Sequence, residues 1–464
     1  MASTADLAPT RTEEVMRAIR QRIERRTLTP GARLPSVRAM AETMQLSKST
    51  VVEAYDRLAA EGVVRSRPGS GFYVAAPLAP LALAELGPSV AREIDPVWML
   101  RQSLATSSDA LLPGCGWLPP SWMPEASLRK ALRQLARGAS QAQLVGYGRA
   151  AGSEAMRLLI ARRLIEQGVD AGPDQILTTD SGTHAIDLVL RFFIEPGDTV
   201  LVDDPCYFNF HALLRAYRAK VVGVPMTSSG PDLAAFATAL ETHRPRLYLT
   251  NSGIHNPTGA TLSATAAHRI LKLAEAHDLI VVEDDIFADF EDEPAPRLAS
   301  FDGLDRVVRI GSFSKTLSSA VRCGHIAARR EWIEAITDLR IATGMSGHAL
   351  GTELLHMVLT DGGYRRHVER LRARLGQARA RAIARLKAVG IAPWITPRSG
   401  FFLWCCLGEG VDAAEVARRG LAENIIFAPG NVFSLSGSHA SYMRLNATMM
   451  DDPRIIEFLG RVVR

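Results

Sequence analysis

Hydrophobic residues in the first part of the chain recur with the period of a helix. Between residues 63 and 74 they form two short runs that are typical of a β-hairpin. Between residues 13 and 26, four apolar residues fall on one face of a predicted amphipathic helix. Two shorter helices follow, and Ser36 and Ser47 are suited to cap their first turns. The predicted elements are helices at 13–26, 36–43 and 47–60 and strands at 63–67 and 72–74. Three helices and a hairpin predict a winged helix-turn-helix.

From about residue 98 the pattern changes to short apolar strands separated by long amphipathic helices. That alternation predicts an α/β fold, in which helices cover both faces of a mostly parallel sheet. The predicted strands are 175–179, 199–202, 220–224, 246–250, 279–283 and 307–310. Residues 330–385 are predicted to be largely helical and to lead into a smaller C-terminal α+β lobe. We therefore predict a multidomain chain, with a winged helix-turn-helix at 1–75, a linker at 76–97 and an α/β body at 98–464.

Composition supports a division into several domains and is typical of a soluble protein that is not secreted. A chain of 464 residues is too long for one core, and 47% hydrophobic with 22% charged residues is ordinary for soluble globular proteins. No apolar run reaches the ~18–20 residues of a membrane span, and no secretory signal is visible. The five cysteines have no metal-ligand spacing, so we expect no metal site and a reducing, cytoplasmic location.

Positive charge is concentrated in the predicted winged helix. Of the net charge of +5, residues 1–75 contribute +4, from 12 basic and 8 acidic side chains. In such a unit the second helix of the turn lies in the DNA major groove. The residues expected to contact DNA are Arg38, Ser47, Lys48, Ser49, Thr50, Arg67 and Gly69. A winged helix that serves as a protein-interaction module is the alternative, and it has no need of an exposed Lys48-Ser49-Thr50 run.

One lysine of the body lies in an unusual place. Of the six lysines, Lys315 alone lies in a turn of small residues directly after a predicted strand. A lysine that forms an imine must be largely desolvated so that its amine is nucleophilic near neutral pH. Ser312, three residues earlier, and Arg322, seven residues later, are placed to bind a phosphate. This spacing predicts a pyridoxal phosphate (PLP) site in which Lys315 is the catalytic residue that carries the imine.

PLP chemistry needs further groups, and the body supplies a candidate for each. An acid must face the pyridine nitrogen, and Glu283, Asp284 and Asp285 all stand at the end of one apolar strand, so the residues alone do not choose among them. The other candidates are Ser181, Gly182 and Thr183 at a helix start for the phosphate, Asn256 for the ring hydroxyl, Tyr207 for stacking on the ring, and Arg444 for a carboxylate.

Residues 34–74 closely resemble the GntR family of bacterial repressors. The similarity includes Leu34-Pro35-Ser36, Arg38, the 47–50 run, Tyr55 and the glycines of the hairpin. It implies that double-stranded operator DNA is a partner of this chain.

Residues from about 98 to 464 resemble the fold-type I, class I and II aminotransferases. The resemblance rests on the order along the chain of Tyr147, Ser181-Gly182-Thr183, Tyr207, Asn256, Asp284, Ser312, Lys315, Arg322 and Arg444. It implies PLP as the cofactor and Asp284 as the partner of the pyridine nitrogen. It also implies that Arg444, with Asn256, binds the α-carboxylate of an effector or substrate. In that family the tyrosine equivalent to Tyr147 reaches the phosphate of a second subunit, which implies a homodimer.

One position departs from the aminotransferase pattern. A tyrosine usually follows the aspartate by two or three residues, whereas Ile286 and Phe287 stand at those positions here. Without that hydroxyl, we expect a raised pKa for the imine on Lys315, compared with relatives that carry the tyrosine. His184 and His255 lie beside the phosphate turn and the Asn256 turn, and we expect both to be structural.

A GntR head joined to an aminotransferase-like body is the arrangement of the MocR regulators. The resemblance implies a PLP-dependent, DNA-binding transcriptional regulator that senses an amino acid, an amine or PLP itself through Lys315. The alternative is a working PLP-dependent aminotransferase with an accessory DNA-binding domain, and the two activities can coexist. A DNA-binding protein with a cofactor-free body is a third hypothesis, against which the intact Lys315, Asp284 and Arg322 argue. No membrane partner is expected.

Overall fold

The computed structural model describes residues 10–24, 28, 31–67, 70–75, 101, 104 and 109–463. The chain forms two compact units, Met1–Arg92 and Glu93–Arg464, and their boundary falls within the segment predicted as a linker. That segment itself, 76–97, lies outside the described residues, as do Gly69 of the hairpin and the last two positions of the first predicted helix.

The N-terminal unit has the predicted three helices and hairpin. Its elements are α1 (Arg11–Glu24), α2 (Val37–Met44), α3 (Lys48–Ala60), β1 (Val64–Arg67) and β2 (Gly71–Val74), with the two strands antiparallel. The serine hydroxyls cap α2 and α3 as predicted, since Ser36 accepts from the Ala39 N–H and Ser47 from the Thr50 N–H. Tyr55 is fully buried in the core of this unit, and its hydroxyl donates to the Pro35 carbonyl at 2.9 Å.

An eight-stranded sheet forms the centre of the second unit. Its strands are β3 (Ile176–Thr179), β4 (Thr199–Asp204), β5 (Lys220–Thr227), β6 (Gly230–Pro231), β7 (Leu247–Thr250), β8 (Ile280–Asp284), β9 (Val307–Ser312) and β10 (Gly324–Ala327). The strand order is β3-β10-β9-β8-β7-β4-β5-β6. The pairs from β5 through β9 are parallel, whereas β10 runs antiparallel to both of its neighbours. The prediction of a mostly parallel sheet is confirmed, but β6 and β10 were not predicted.

Helices pack on both faces of this sheet because the strands are apolar on both sides. Successive residues of a strand point to opposite faces. Leu201 accordingly packs in one buried cluster with Tyr248 and Val281, while Val200 packs in another with Val282. The helices of the second unit are α4 (Glu125–Gly138), α5 (Gln141–Val145), α6 (Glu154–Glu166), α7 (Gly182–Phe193), α8 (Phe208–Ala216), α9 (Leu233–His243), α10 (Ala264–Ala276), α11 (Leu298–Asp302), α12 (Arg330–Gly344), α13 (Ala349–Thr360), α14 (Tyr364–Ala388), α15 (Ala413–Ala422) and α16 (Pro453–Val462).

The smaller C-terminal α+β lobe is also present. It contains the four-stranded antiparallel sheet β11-β12-β14-β13, formed by β11 (Ala392–Pro393), β12 (Phe402–Cys406), β13 (Ala428–Pro429) and β14 (Tyr442–Asn446). A separate hydrophobic cluster lies between this sheet and the helices around it, and Trp404 and Phe458 are buried there. Within the described part of the chain, no helix is long and apolar enough to cross a bilayer.

The topology gathers several strand ends at one edge of the large sheet. Strands β4, β7, β8 and β9 are parallel neighbours, and they end at Asp204, Thr250, Asp284 and Ser312. In open α/β sheets, ligands bind outside the carboxyl ends of the parallel strands. The turn that carries Lys315 follows β9, so the candidate site lies at this edge.

We predict that Gly311 is required where β9 meets β10. Gly311 lies opposite His325, and an added Cβ would lie only 2.2 Å from His325 Cε1. Because the ring is buried, Gly311→Ala should lower the free energy of unfolding by about 1–3 kcal/mol, measured by urea denaturation. The matched control is the same substitution in a His325→Ala background, where the cost should fall close to zero. An equal cost in both backgrounds would show that the ring is not what excludes a side chain at Gly311.

Candidate cofactor site and DNA-contacting helix

The amine of Lys315 lies at the centre of the candidate site. Its Nζ donates a hydrogen bond to the Gly116 carbonyl at 2.7 Å. The side chain is partly exposed toward the site, but burial of the amine lowers its pKa to about 8. The positive charge of Arg444 lowers this pKa further, and the carboxylate of Asp284 opposes the change. About a tenth of the amine is therefore uncharged at pH 7, far more than for an ordinary lysine, and the uncharged form is the nucleophile.

Asp284 is the member of its acidic triplet that stays available to a ligand. Glu283 accepts from the Leu298 and Ala299 N–H groups at 2.7 and 3.0 Å, and Asp285 pairs with Arg297 and with Arg309. Protein donors thus occupy both neighbours, which supplies a physical reason for the choice that the residues alone had left open.

Burial raises the pKa of the Asp284 carboxyl to about 7, against the lowering contributed by Asn251 and the Ile286 N–H. The side chain is 2% exposed, and its Oδ1 accepts from that N–H at 3.3 Å. A buried carboxyl of this kind binds a protonated ring nitrogen favourably, because an opposite charge nearby restores its ionised form.

The predicted phosphate turn forms the start of α7. Ser181 caps that helix, and its hydroxyl accepts from the His184 N–H at 3.0 Å, so this side chain is already used by the helix. A Cβ at Gly182 would lie 3.1 Å from Ile286 Cγ2 and 3.6 Å from Ser312 Cβ, so glycine lets the start of α7 pack closely against these residues. Thr183 is exposed at the same helix start.

Ser312 and Arg322 lie on either side of the lysine turn. The Ser312 hydroxyl donates to the Cys323 carbonyl at 3.1 Å. Arg322 is exposed and adopts a left-handed backbone, with φ of 57°. Its charge contributes to the lowered pKa of Lys315, and it makes no hydrogen bond or ion pair to any residue that the structure describes. A guanidinium left free beside the lysine suits an anionic ligand.

Arg444 and Asn256, predicted to bind a carboxylate, are in direct contact. Arg444 is 1% exposed on β14, and its Nη1 donates to Asn256 Oδ1 at 2.9 Å. Its Nη2 donates to the Gly114 carbonyl at 2.7 Å, and its buried Nε has no partner among the described residues. The guanidinium also lies over the Phe402 ring, 4.4 Å from the centroid. Burial lowers its pKa to about 10.

The segment 114–117, which was not predicted, closes the site. Its carbonyls accept from three side chains: Gly114 from Arg444, Gly116 from Lys315, and Cys115 and Trp117 from the Asn446 amide at 3.0 and 2.7 Å. A Cβ at Gly114 would lie 2.4 Å from the Ala428 nitrogen, so this position requires glycine. The Gly-Cys-Gly spacing was the available signal, but these residues act through backbone atoms, which a search for reactive side chains does not detect.

Two tyrosines have different placements. Burial raises the pKa of Tyr207 to about 12, and its ring packs against the rings of Phe208 and Phe210, with centroids 5.0 and 5.4 Å apart. Tyr147 is 84% exposed and lines a separate surface cavity of about 430 Å³. Its expected reach to a second subunit stays a prediction.

Phe287 and the two histidines are held by their surroundings. Phe287 is 3% exposed and packs edge-on against Phe402 at 5.4 Å, so no hydroxyl is present at this position. His255 is fully buried, with Nδ1 bonded to the Thr258 hydroxyl at 2.7 Å. His184 Nδ1 accepts from the Asp180 N–H at 3.3 Å. These contacts agree with structural roles for both histidines, and the expected effect of Phe287 on the imine stays a prediction.

The start of α3 carries four of the residues predicted to contact DNA, Ser47, Lys48, Ser49 and Thr50. Lys48 and Ser49 are exposed there. The Ser47 hydroxyl is used as the helix cap and also bonds the hydroxyls of Ser49 and Thr50 at 2.8 and 2.7 Å. Arg38 is exposed and pairs with Glu42 at 3.2 Å, a surface pair that a phosphate can displace at little cost. Arg67 belongs to β1, and Gly69 lies outside the described residues.

The large sheet and the site at its edge identify the body as a PLP-dependent transferase fold. The N-terminal unit of the same chain is a winged helix-turn-helix. Residues 121–462 match the sequence family described as aminotransferase class I and II. Residues 11–74 match the family described as bacterial regulatory proteins, gntR family. The chain belongs to the class I and II aminotransferase family, and the order of its two matched regions is that of the MocR regulators. Pyridoxal phosphate is the cofactor of this fold family.

The chain is similar to regulators over more than nine-tenths of its length and to solved aminotransferase structures over about four-fifths of it. The chain is 28% identical to the uncharacterized HTH-type transcriptional regulator YdcR of Escherichia coli K12, over 97% of this chain and 98% of that protein. It is 26% identical to the HTH-type transcriptional regulator NorG of Staphylococcus aureus, over 93% and 98%. Among solved structures, it is similar to the α-aminoadipate aminotransferase LysN of Thermus thermophilus, complexed with N-(5'-phosphopyridoxyl)-L-leucine. The TM-score is 0.71 at 26% identity, covering 79% of this chain and 94% of that one.

The residues present fit PLP. The site combines the partly desolvated amine of Lys315, the buried carboxyl of Asp284 and the N-terminus of α7. It also contains the buried Arg444, whose Nε lacks a partner among the described residues. No cluster of three potential metal ligands competes with this assignment within the described residues.

We predict that Asp284 and Arg444 set the pKa of Lys315 in opposite directions. In cofactor-free protein at pH 7, Arg444→Gln should lower the rate of Lys315 acetylation about tenfold, because removal of a nearby positive charge raises the amine pKa. Asp284→Asn should increase the rate, since it removes a charge that favours the ammonium form. Competitive labelling with peptide mass spectrometry measures both rates, with exposed Lys272 as the internal control. A change in the same direction in both variants would indicate general loosening and contradict the electrostatic explanation.

Proposed function

We propose that this chain is a PLP-dependent transcriptional regulator that binds operator DNA through its N-terminal unit and an amino acid or amine through its body. The observation that carries the proposal is the convergence of Lys315, Asp284 and Arg444 in one site, in a chain whose residues 11–74 match the gntR family. A cytoplasmic homodimer belongs to the same proposal, and the exposed Tyr147 supports the dimer.

Each residue has a task that follows from its position. When bound, PLP supplies an electrophilic carbonyl and an electron-withdrawing ring. Lys315 presents an amine with a lowered pKa to that carbonyl, and Asp284 holds a proton on the pyridine nitrogen. The start of α7, at Ser181, Gly182 and Thr183, binds the phosphate together with Ser312 and Arg322, while the Tyr207 ring orients the cofactor.

The carboxylate of an effector binds Arg444 and Asn256, and this couples the ligand to the rest of the body. The Nη groups of Arg444 already donate to Asn256 and to the Gly114 carbonyl. A bidentate carboxylate can use the Nε, which has no partner among the described residues, and a remaining Nη hydrogen, and it then shares the Arg444 guanidinium with the Gly114 carbonyl of the segment 114–117. The segment also binds Lys315 through Gly116, so effector and lysine act on the same backbone. A coupling of about 1–3 kcal/mol changes operator affinity by roughly 5–150-fold.

A working aminotransferase with an accessory DNA-binding domain is the second candidate. The completeness of the site favours it, because the nucleophile, the ring acid and the carboxylate arginine are all present. Steady turnover of an amino-acid and keto-acid pair at ~1–10³ per second would assign this activity. Operator binding that responds to an amine without such turnover assigns regulation alone.

The first expected result concerns the lysine. After saturation with PLP and borohydride reduction, peptide mass spectrometry should find the pyridoxyl adduct on Lys315. The adduct should be absent in Lys315→Ala and retained in Lys272→Ala, a surface control on α10. An adduct confined to other lysines, or no adduct in saturated wild type, would end the assignment of this site.

The second expected result concerns the head. Lys48→Ala should weaken operator binding and reduce the slope of log K against log salt by about 1, as expected for one lost phosphate contact. The operator is located by footprinting on DNA upstream of the chain's own gene and its neighbours. Lys272→Ala, which removes an equal charge from the body, should leave the slope unchanged. An unchanged slope in Lys48→Ala would remove this lysine from the phosphate contacts.

A further inference from the structure

Helix α14 carries an unusual density of positive charge. Its 25 residues include eight arginines and one lysine but only one acidic residue, Glu369. An amphipathic helix needs charge on its outer face for solubility, but it does not need charge of one sign. The excess therefore calls for partners, either within the protein or outside it.

Most of these arginines have partners within the protein. Their contacts are Arg365 with Glu369, Arg372 with the Asp289 carbonyl, Arg374 with the Trp122 ring, Arg379 with the Arg398 and Gly400 carbonyls, and Arg381 and Arg385 with Asp451. Six of the eight arginines of this helix are thus held by contacts within the protein.

Arg366 and Arg370 differ from the others. Both are exposed, and neither makes a hydrogen bond, ion pair or ring contact with any residue that the structure describes. They are four residues apart, so they lie on the same face of the helix, where like charges repel each other. Two unpaired arginines side by side destabilise the helix slightly, and an anionic ligand would offset this.

Lys130 of α4 joins them across an open surface pocket. Lys130, Arg366 and Arg370 line this pocket together with Ser127, and the volume is about 650 Å³. Asp361 also lines it, and its Oδ1 accepts from the Gly363 N–H at 2.8 Å, so the lining sets one carboxylate against three cations and stays positive. We name Lys130, Arg366 and Arg370 the basic surface.

We propose that the basic surface binds backbone phosphates of the same DNA that the N-terminal unit recognises. This inference rests on the proposed DNA-binding function and adds a second contact, made by the body. The three cations come from two helices and lie around an open depression rather than an enclosed cavity. Such a layout suits an extended polyanion better than a small ligand, which usually has most of its surface buried. Arginines bind phosphate with geometric specificity but carry no base readout here.

The test uses the full-length, PLP-loaded protein and two duplexes. One duplex contains only the footprinted operator, and the other contains the same operator with flanks of roughly 30 base pairs on each side, each flank spanning about 100 Å. Binding is measured by fluorescence anisotropy over a range of salt concentrations. The variant is Arg366→Gln/Arg370→Gln. The control is Arg418→Gln/Arg461→Gln, which removes the same charge from surface arginines that pair with Glu415 and Glu423. Thermal unfolding and the cofactor absorbance spectrum confirm that both variants are folded and loaded.

On the long duplex, the variant should reduce the salt slope by about 2 and weaken binding roughly tenfold near 0.1 M salt. On the short duplex the variant should lose less than on the long one, because fewer phosphates are within its reach, and the control should behave as wild type on both. Lys48→Ala weakens binding to both lengths, so loss of the head contact is distinguishable from loss of the body contact.

Three outcomes would overturn the inference. The first is an unchanged affinity and slope of the variant on the long duplex. The second is an equal loss in the control, which would reflect net charge rather than this surface. The third is unchanged DNA binding together with loss of polyglutamate or inorganic phosphate binding in the variant, which would assign the surface to an acidic protein or a small anion. Wild type that binds neither duplex would instead contradict the proposed function itself.

Discussion

The site depends on a lysine amine that the protein both desolvates and holds. Lys315 donates to the Gly116 carbonyl, a contact between residues 199 positions apart in the chain. The segment that carries Gly116 is in turn fixed by Arg444 and Asn446 on β14 of the C-terminal lobe. The lowered pKa of the amine follows from this closure, since burial is its largest cause and Arg444 the next. The sheet edge supplies the lysine, and the smaller lobe supplies the environment that makes it reactive.

A network of buried charges fixes the end of β8 beside this lysine. Although burial raises its pKa, Asp285 is held below its usual range by Arg297 and Arg309, and Arg297 also pairs with Glu291. Burying such ions costs several kcal/mol each before pairing, so stability alone does not explain the network. Because protein donors fix Asp285 and Glu283, Asp284 is the carboxyl at this strand end that remains available to a ligand.

Much of this arrangement could be predicted from the sequence, for physical reasons. Alternating apolar runs indicate strands buried on both faces, and serine caps mark the starts of α2 and α3. Strand β10 escaped prediction because its four residues, Gly-His-Ile-Ala, lack an apolar run and pair antiparallel to both neighbours. The segment 114–117 escaped because backbone carbonyls carry no residue-type signal. The choice of Asp284 needed either a family resemblance or knowledge of which neighbours were already engaged.

Helix α14 connects the basic surface with the lysine turn. His367 lies on this helix beside Arg366 and lines the same pocket, and its Nε2 bonds the Thr316 carbonyl at 2.7 Å, one residue after Lys315. Tyr364 of the same helix bonds the Thr316 hydroxyl at 2.9 Å. The turn is therefore held from two sides, by α14 through Thr316 and by the C-terminal lobe through Gly116. A lysine fixed between two independent elements registers a shift in either of them. A regulator needs such a link, because its effector must change the binding of a second ligand elsewhere on the protein.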